Sequence, residues 1–208
     1  VDRNKCTGCG ACANICPKNA ISMEIDAEGF LMPKVDIDIC IGCGICRKVC
    51  PCIDGENKIK PQISCYAMMA EDSIREKSSS GGAFTLLAKS IIEQGGVVCG
   101  TMWTSDYVAK QVFVETMEDI VPLRGSKYVQ SYTDDTFKKT KQYLDNGRKV
   151  LYTGTPCQIN GLLNYLQKDY ENLYTVDLLC RGNASNELFK KFVKENYRDK
   201  NIIGINFK

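Results

Sequence analysis

Histidine is absent from this 208-residue sequence. That excludes Ser-His-Asp and Cys-His catalytic groupings, CxxCH haem attachment and histidine-ligated zinc. Catalysis is left to carboxylates, Lys, Tyr, Cys or a bound cofactor. A charge excess is also missing. The formal net charge is +2, with no run of like charges and no basic stripe interleaved with aromatics, so neither nucleic acid nor an anionic membrane surface is indicated. No apolar stretch approaches the ~20 residues of a membrane span. The start, Val1-Asp2-Arg3-Asn4-Lys5-Cys6, lacks the apolar core of a signal peptide, and a cytoplasmic location is expected.

What is abundant is cysteine: 13 residues, an odd number, grouped in tight CxxC clusters. With no secretory signal, this pattern favours metal ligation over a disulfide framework. With hydrophobic residues at 44% and charged residues at 25%, the composition suits a packed core.

An internal repeat organises the first 62 residues. Cys6, Cys9, Cys12 and Cys16, followed by Pro17, recur as Cys40, Cys43, Cys46 and Cys50, followed by Pro51. Each copy is C-x2-C-x2-C-x3-C-P, the two-cluster bacterial ferredoxin signature, in which the fourth Cys of each run serves the other cluster. The spacing assigns Cys6, Cys9, Cys12 and Cys50 to one [4Fe–4S] cluster. Cys40, Cys43, Cys46 and Cys16 fall to the second. Gly8, Gly10, Gly42 and Gly44 allow the sharp loop and free backbone N–H groups to face cluster sulfurs. Paired CxxC units also suit structural zinc, but two identical four-Cys runs each ending in Pro are far more specific to clusters. Between the copies, residues 20–25 and 30–35 flank Asp26-Ala27-Glu28-Gly29 and read as a hairpin.

After a polar segment at 54–62, the texture becomes alternating helices and strands. Helices are expected over about 79–94, 133–145 (Thr133 as N-cap), 158–167 and 185–197. Strands are expected over 97–103, 108–115, 150–153, 173–179 and 202–207. This is an α+β ferredoxin-like domain (1–62) followed by an α/β domain (63–208). The sequence stops at Lys208 within the last expected strand, so the second domain reads as the N-terminal part of a longer one.

Three stretches of the second domain carry candidate chemistry. Ser79-Ser80-Gly81-Gly82 opens a helix, a setting suited to a phosphate. Ser126-Lys127-Tyr128 offers a cation beside an aromatic ring. Gly154-Thr155-Pro156-Cys157 turns from a strand into a helix at what would be a carboxyl sheet edge. Each has a plainer alternative: an ordinary N-cap, a solvated pair, a tight connection.

Taken together behind two ferredoxin motifs, these stretches resemble the family of coenzyme F420 hydrogenase/dehydrogenase beta subunits. The anchors are Ser80-Gly81-Gly82, Gly125-Ser126-Lys127-Tyr128, Gly154-Thr155-Pro156-Cys157-Gln158 and Asp177-Leu178-Leu179-Cys180-Arg181-Gly182. The resemblance implies FAD bound by Ser79, Ser80, Gly81, Gly82, Ser126, Lys127, Tyr128, Gly154 and Thr155. It implies an oxidoreductase that passes electrons between clusters and a two-electron partner, either a redox protein or a small molecule. The family places His where Arg181 stands here, so that residue's role is not carried over, and no catalytic residue is assigned. It also supplies a CxxC beyond Lys208. Cys157 and Cys180 each follow a strand, and with that pair they are candidate ligands of a further [4Fe–4S] cluster. Two other readings compete: a stand-alone electron carrier whose second domain only docks a partner, and a sugar-nucleotide or phosphate binder.

Overall fold

The computed structural model describes residues 2–53, 64–198 and 200–207. The expected domain boundary at 62/63, and the polar segment before it, lie outside the described residues.

A short 3-10 turn, Arg3–Lys5, precedes the first cysteine motif. Helix α1 (Ala11–Ile15) lies within that motif, between its second and fourth cysteines, and α2 (Ile45–Lys48) occupies the same place in the second copy. Each is entered through a left-handed glycine, Gly10 at φ 80° and Gly44 at φ 74°, where any side chain would be strained. Between them β1 (Ile21–Ile25) pairs antiparallel with β2 (Leu31–Val35), as the alternation around Asp26-Ala27-Glu28-Gly29 requires. Asp26 fastens that turn by accepting the N–H groups of Glu28 and Phe30, and Arg3 clamps Asp26 from the N-terminus at 2.6 Å.

The second domain contains α3 (Asp72–Arg75), α4 (Ala83–Ile92), β3 (Val97–Trp103), β4 (Ala109–Val114), α5 (Thr136–Asp145), β5 (Val150–Gly154), α6 (Pro156–Leu166), β6 (Leu173–Asp177) and α7 (Asn186–Tyr197). The sheet order is β4-β3-β5-β6. The first pair is antiparallel and the other two are parallel, so the α/β layout is mixed. Period-two alternation divides the sheet residues between two cores. Val98 and Leu151 face Ala88 and Ile91 of α4. Val97, Cys99, Val150 and Tyr152 face the opposite way, onto Phe137 and Leu144 of α5 and Ile159, Leu162 and Leu166 of α6.

That second core does not stop at the α/β domain. Cys9 and Ala11 of the first cysteine motif and Val49 of the second belong to it. Helix α1 packs on α6 and α5, so the cysteine-rich domain forms a further layer over this face. Polar bonds reinforce the contact. Leu31 N–H donates to Gln130 Oε1 at 2.6 Å, and Gln130 Nε2 donates back to Leu31 O at 3.2 Å. Asn14 Nδ2 donates to Asp134 O at 2.7 Å, and Thr133 Oγ1 to Cys9 O at 3.3 Å.

Some expected bounds shift for local reasons. The helix expected from Thr133 begins at Thr136 with Asp135 at the N-cap; Thr133 instead binds Cys9, and its carbonyl accepts Thr136 Oγ1 at 2.7 Å. Helix α6 begins two residues earlier than expected because Thr155 and Gln158 form a reciprocal capping box with Pro156 at the first position. The strand expected over 202–207 does not form. Those residues pair with no strand of the sheet, and Phe207 packs its ring on Trp103, Tyr128 and Phe189 instead.

Candidate metal centre and cofactor site

The two cysteine copies are alike in sequence and unlike in surroundings. Cys6, Cys9, Cys12 and Cys50 border one cavity of about 290 Å3, walled by Ile21, Met23, Pro33, Val35 and Ile53. Cys46 borders it as well. Cys6, Cys9 and Cys12 lie deep enough for burial to dominate their acidity. Burial pushes Cys9 up to about 12 and Cys12 to about 11, and it raises Cys6. The backbone N–H groups of Gly8, Ala11 and Ala13 act against this by bonding the sulfurs of Cys6, Cys9 and Cys12. Such thiols become thiolates when a cation compensates them, and the N–H groups then remain as sulfur donors. Four sulfurs around an apolar-walled cavity, each loop turning through a left-handed glycine, fit an iron–sulfur cluster. Among the described residues, no three His, Cys, Asp or Glu side chains converge as ligands of a single ion do.

In the second copy Cys40 and Cys43 are exposed, while Cys16 is half-buried with its Sγ accepting the Ala20 N–H at 3.2 Å. The matching glycines show the same contrast. A Cβ on Gly8 would lie 2.2 Å from Gln130 Nε2, and one on Gly10 would lie 2.3 Å from Thr133 Oγ1. On Gly42 or Gly44 it would meet nothing within 4 Å.

The three stretches expected to hold the cofactor are partly brought together. The 124–131 segment links the other two. At one end, Ser79 Oγ stands 3.5 Å from where a Gly125 Cβ would lie; at the other, Gln158 Nε2 donates to Ser131 Oγ at 2.9 Å. Ser79 and Ser80 are exposed, Gly81 is half-buried and Gly82 is buried. Gly81 is required by crowding: a Cβ there would lie 2.5 Å from Met68 O. Gly82 caps α4 at φ 85°, and no side chain bonds the free N–H groups of the first turn. Beside this helix start Thr85 Oγ1 is buried without a partner, and in the 124–131 segment Arg124 Nε is likewise buried and unpaired. Lys127 turns inward: its Nζ donates to Pro122 O, Arg124 O and Gly125 O at 3.0, 2.8 and 2.9 Å. Burial lowers it to about 8. Ser126 is half-buried, and Tyr128 is exposed with its ring edge-on to Phe207.

The Gly154-Thr155 turn ends β5, level with Asp177 at the end of β6. A buried polar chain holds it. Gln158 Oε1 accepts the Thr155 N–H at 3.0 Å and Gln111 Nε2 at 3.3 Å. Gln111 Nε2 also reaches Thr153 O at 3.2 Å, while Gln111 Oε1 accepts the Tyr152 hydroxyl. A Gly154 Cβ would lie 3.0 Å from Gln158 Oε1. Gln111 escaped sequence reasoning, although a polar residue on the inward register of β4, two after Ala109, was a signal. Cys157 packs against the shared core with its Sγ 3.1 Å from Thr155 Oγ1, whereas Cys180 is exposed.

Two ferredoxin-type cysteine runs docked through one core onto a mixed α/β domain define an iron–sulfur protein. Residues 5–53 match the 4Fe-4S dicluster domain. Residues 64–138 and 147–208 match the N-terminal and C-terminal parts of the coenzyme F420 hydrogenase/dehydrogenase beta subunit. The chain belongs to that family. It is 22% identical to a component of the F(420)H(2) dehydrogenase of Methanosarcina mazei, over 96% of this chain and 61% of that protein. It is 31% identical to the coenzyme F420-dependent sulfite reductase of Methanocaldococcus jannaschii, over 88% of this chain and 28% of that protein. The chain thus spans less than two thirds of these relatives. Its fold is similar to a chain of the F420-reducing [NiFe] hydrogenase complex from Methanosarcina barkeri, with a TM-score of 0.51 over 64% of this chain and 49% of that one at 24% identity. Among the described residues no helix is long and apolar enough to cross a membrane.

Proposed function

We propose that this chain is part of an iron–sulfur flavoprotein oxidoreductase subunit that passes electrons between two [4Fe–4S] clusters and a two-electron partner. The observation that carries the reading is the cavity of Cys6, Cys9, Cys12 and Cys50, set in the same core as the α/β domain. Clusters supply one-electron exchange, and FAD supplies conversion between one- and two-electron transfer. The protein's own work is positioning and exclusion of water. Gly8 and Gly10 let the first motif approach Gln130 and Thr133 closely. The walls of Ile21, Met23, Pro33 and Val35 give the thiols an apolar surround.

For FAD, the uncapped start of α4 and the unpaired Thr85 Oγ1 and Arg124 Nε fit a phosphate-bearing ligand. Ser79, Ser80, Gly82, Ser126, Gly154 and Thr155 would line it. The inward Lys127 would shape the loop through its three carbonyls, with Tyr128 offering a ring face. The relatives named above are F420-dependent enzymes or a component of one, which supports a protein partner and makes coenzyme F420 a candidate two-electron partner. Cys157 and Cys180, at the carboxyl edge of β5 and β6, remain candidate ligands of a further cluster.

Anaerobic reconstitution tests the reading. Iron at about eight per chain with near-stoichiometric FAD is expected. Cys50→Ala should damage the first-motif cluster, because the fourth ligand crosses between motifs. Clusters without FAD in the full-length protein would favour the stand-alone carrier. Stoichiometric zinc without cluster absorbance would end the reading.

A further inference from the structure

Five cysteines lie outside the two repeats, and four of them have settled surroundings: Cys99 is buried in the sheet core, Cys65 and Cys180 are exposed, and Cys157 packs beside Thr155. Cys52 differs. It follows the fourth cysteine of the second copy by two residues, in Cys50-Pro51-Cys52, and it is half-buried. Its side chain borders the same cavity as Cys6, Cys9, Cys12 and Cys50. Its Sγ is 3.9 Å from Thr7 Oγ1, the residue next to Cys6.

A cubane offers four iron corners, and the ferredoxin pattern fills them with Cys6, Cys9, Cys12 and Cys50. Cys46, which also borders the cavity, belongs to the second cluster, so Cys52 is left with no corner of its own, yet its sulfur stands beside Thr7, the neighbour of Cys6. We propose that Cys52 is a reserve ligand of the first-motif cluster and takes the Cys6 corner when Cys6 is lost. The exchange is a ligand substitution. The bond from iron to Cys6 sulfur breaks, a bond from iron to Cys52 sulfur forms, the proton of the Cys52 thiol passes to the departing Cys6 sulfur, and no electron moves. Cys6 suits displacement because it is less buried than Cys9. The segment carrying Cys52, residues 51–53, is a turn outside helix α2, so a small rotation of its backbone breaks no helical bond.

The inference rests on the cluster reading above, and the experiment separates the two. The whole chain is reconstituted anaerobically as wild type, Cys6→Ala, Cys52→Ala, Cys6→Ala/Cys52→Ala and Cys12→Ala, and iron is counted alongside EPR of the reduced clusters. Wild type without cluster iron sinks the cluster reading itself. With wild type at about eight irons, Cys6→Ala and Cys52→Ala are each expected to keep the first-motif signal, with altered g-values in both. Cys12→Ala and the double variant should lose it and half of the iron. Cys6→Ala losing half of its iron while the second-motif signal persists overturns the proposal. So does a double variant that still keeps all of it. Should Cys6→Ala not fold, as judged by circular dichroism and loss of both signals, Cys52→Ala decides: a thiol bordering the cluster shifts its g-values and midpoint potential when removed. Unchanged values in that variant overturn the proposal.

Discussion

Gly161 lies where α6 of the α/β domain packs against the cysteine-rich domain. It lies inside α6, and a Cβ built on it would stand 3.0 Å from Cys9 Sγ, 3.3 Å from Ala11 Cβ and 3.4 Å from Phe137 Cε2. None of the three is free to move. Cys9 is a proposed cluster ligand, Ala11 is fully buried in the first turn of α1, and Phe137 is fully buried between Tyr152 and Tyr165. Two terms oppose each other in Gly161→Ala. Replacing a helical glycine gains ~0.5–1 kcal/mol. Overfilling a packed core costs ~1–3 kcal/mol. The balance is a loss of ~1 kcal/mol, or ~2–4 °C in melting temperature for a chain of this size. Gly161→Val adds two methyl groups where one already crowds, so its loss should reach the top of the ~1–3 kcal/mol range and disturb the first-motif cluster through Cys9. Gly204 is the control, because a Cβ there meets nothing within 4 Å; Gly204→Ala should stay within ~0.5 kcal/mol of wild type. The assay is anaerobic thermal denaturation by circular dichroism together with EPR of the reduced clusters. A Gly161→Val protein that melts with wild type and keeps an unaltered first-cluster signal would show that α1 and α6 do not share a core.

Gly82→Val forces a side chain into a left-handed position 2.9 Å from Ala70 Cβ, and fluorescence titration should show FAD affinity falling about tenfold or more, with iron content unchanged. Lys127 has its ammonium lowered from 10.5 to about 8 by burial, so the unfolded chain holds more protons between those values. Denaturant stability should therefore gain ~1–2 kcal/mol as pH rises through that window, allowing for partial exposure, and Lys127→Met should abolish the rise; an identical profile in both proteins would refute it. Tyr152→Phe removes a buried hydroxyl bonded to Gln111 and 2.9 Å from Thr136 Oγ1, leaving both short of a partner, and chemical denaturation should show a loss of ~1–3 kcal/mol.

Much of this molecule was legible in its sequence because local rules decide it. The Cys spacing fixes which thiols can share a cluster, and glycines beside them fix the turn into α1 and α2. Short strand-like runs between turn signals placed β1 to β6, and in β3 and β5 successive residues face the two cores in turn. The expected strand at 202–207 failed because a strand is not a local object: it needs a neighbouring ladder, and Phe207 found an aromatic cluster instead. Lys127 looked like a free cation beside a ring, but the carbonyls that hold it inward belong to a loop whose path is set by its neighbours.

The repeat shows the division most clearly. By itself the sequence determined two equivalent cysteine motifs, because the ligand types and intervals that hold a cubane are the same in both. Only tertiary structure made them unequal. The first motif is pressed onto α5 and α6, where Cys9 joins the sheet core and Gly8 and Gly10 have no room for a side chain. The second keeps Cys40 and Cys43 exposed, with open space beside Gly42 and Gly44. Spacing along the chain sets what each loop can bind; docking against residues more than a hundred positions away sets which loop is buried, and no local pattern encodes that contact.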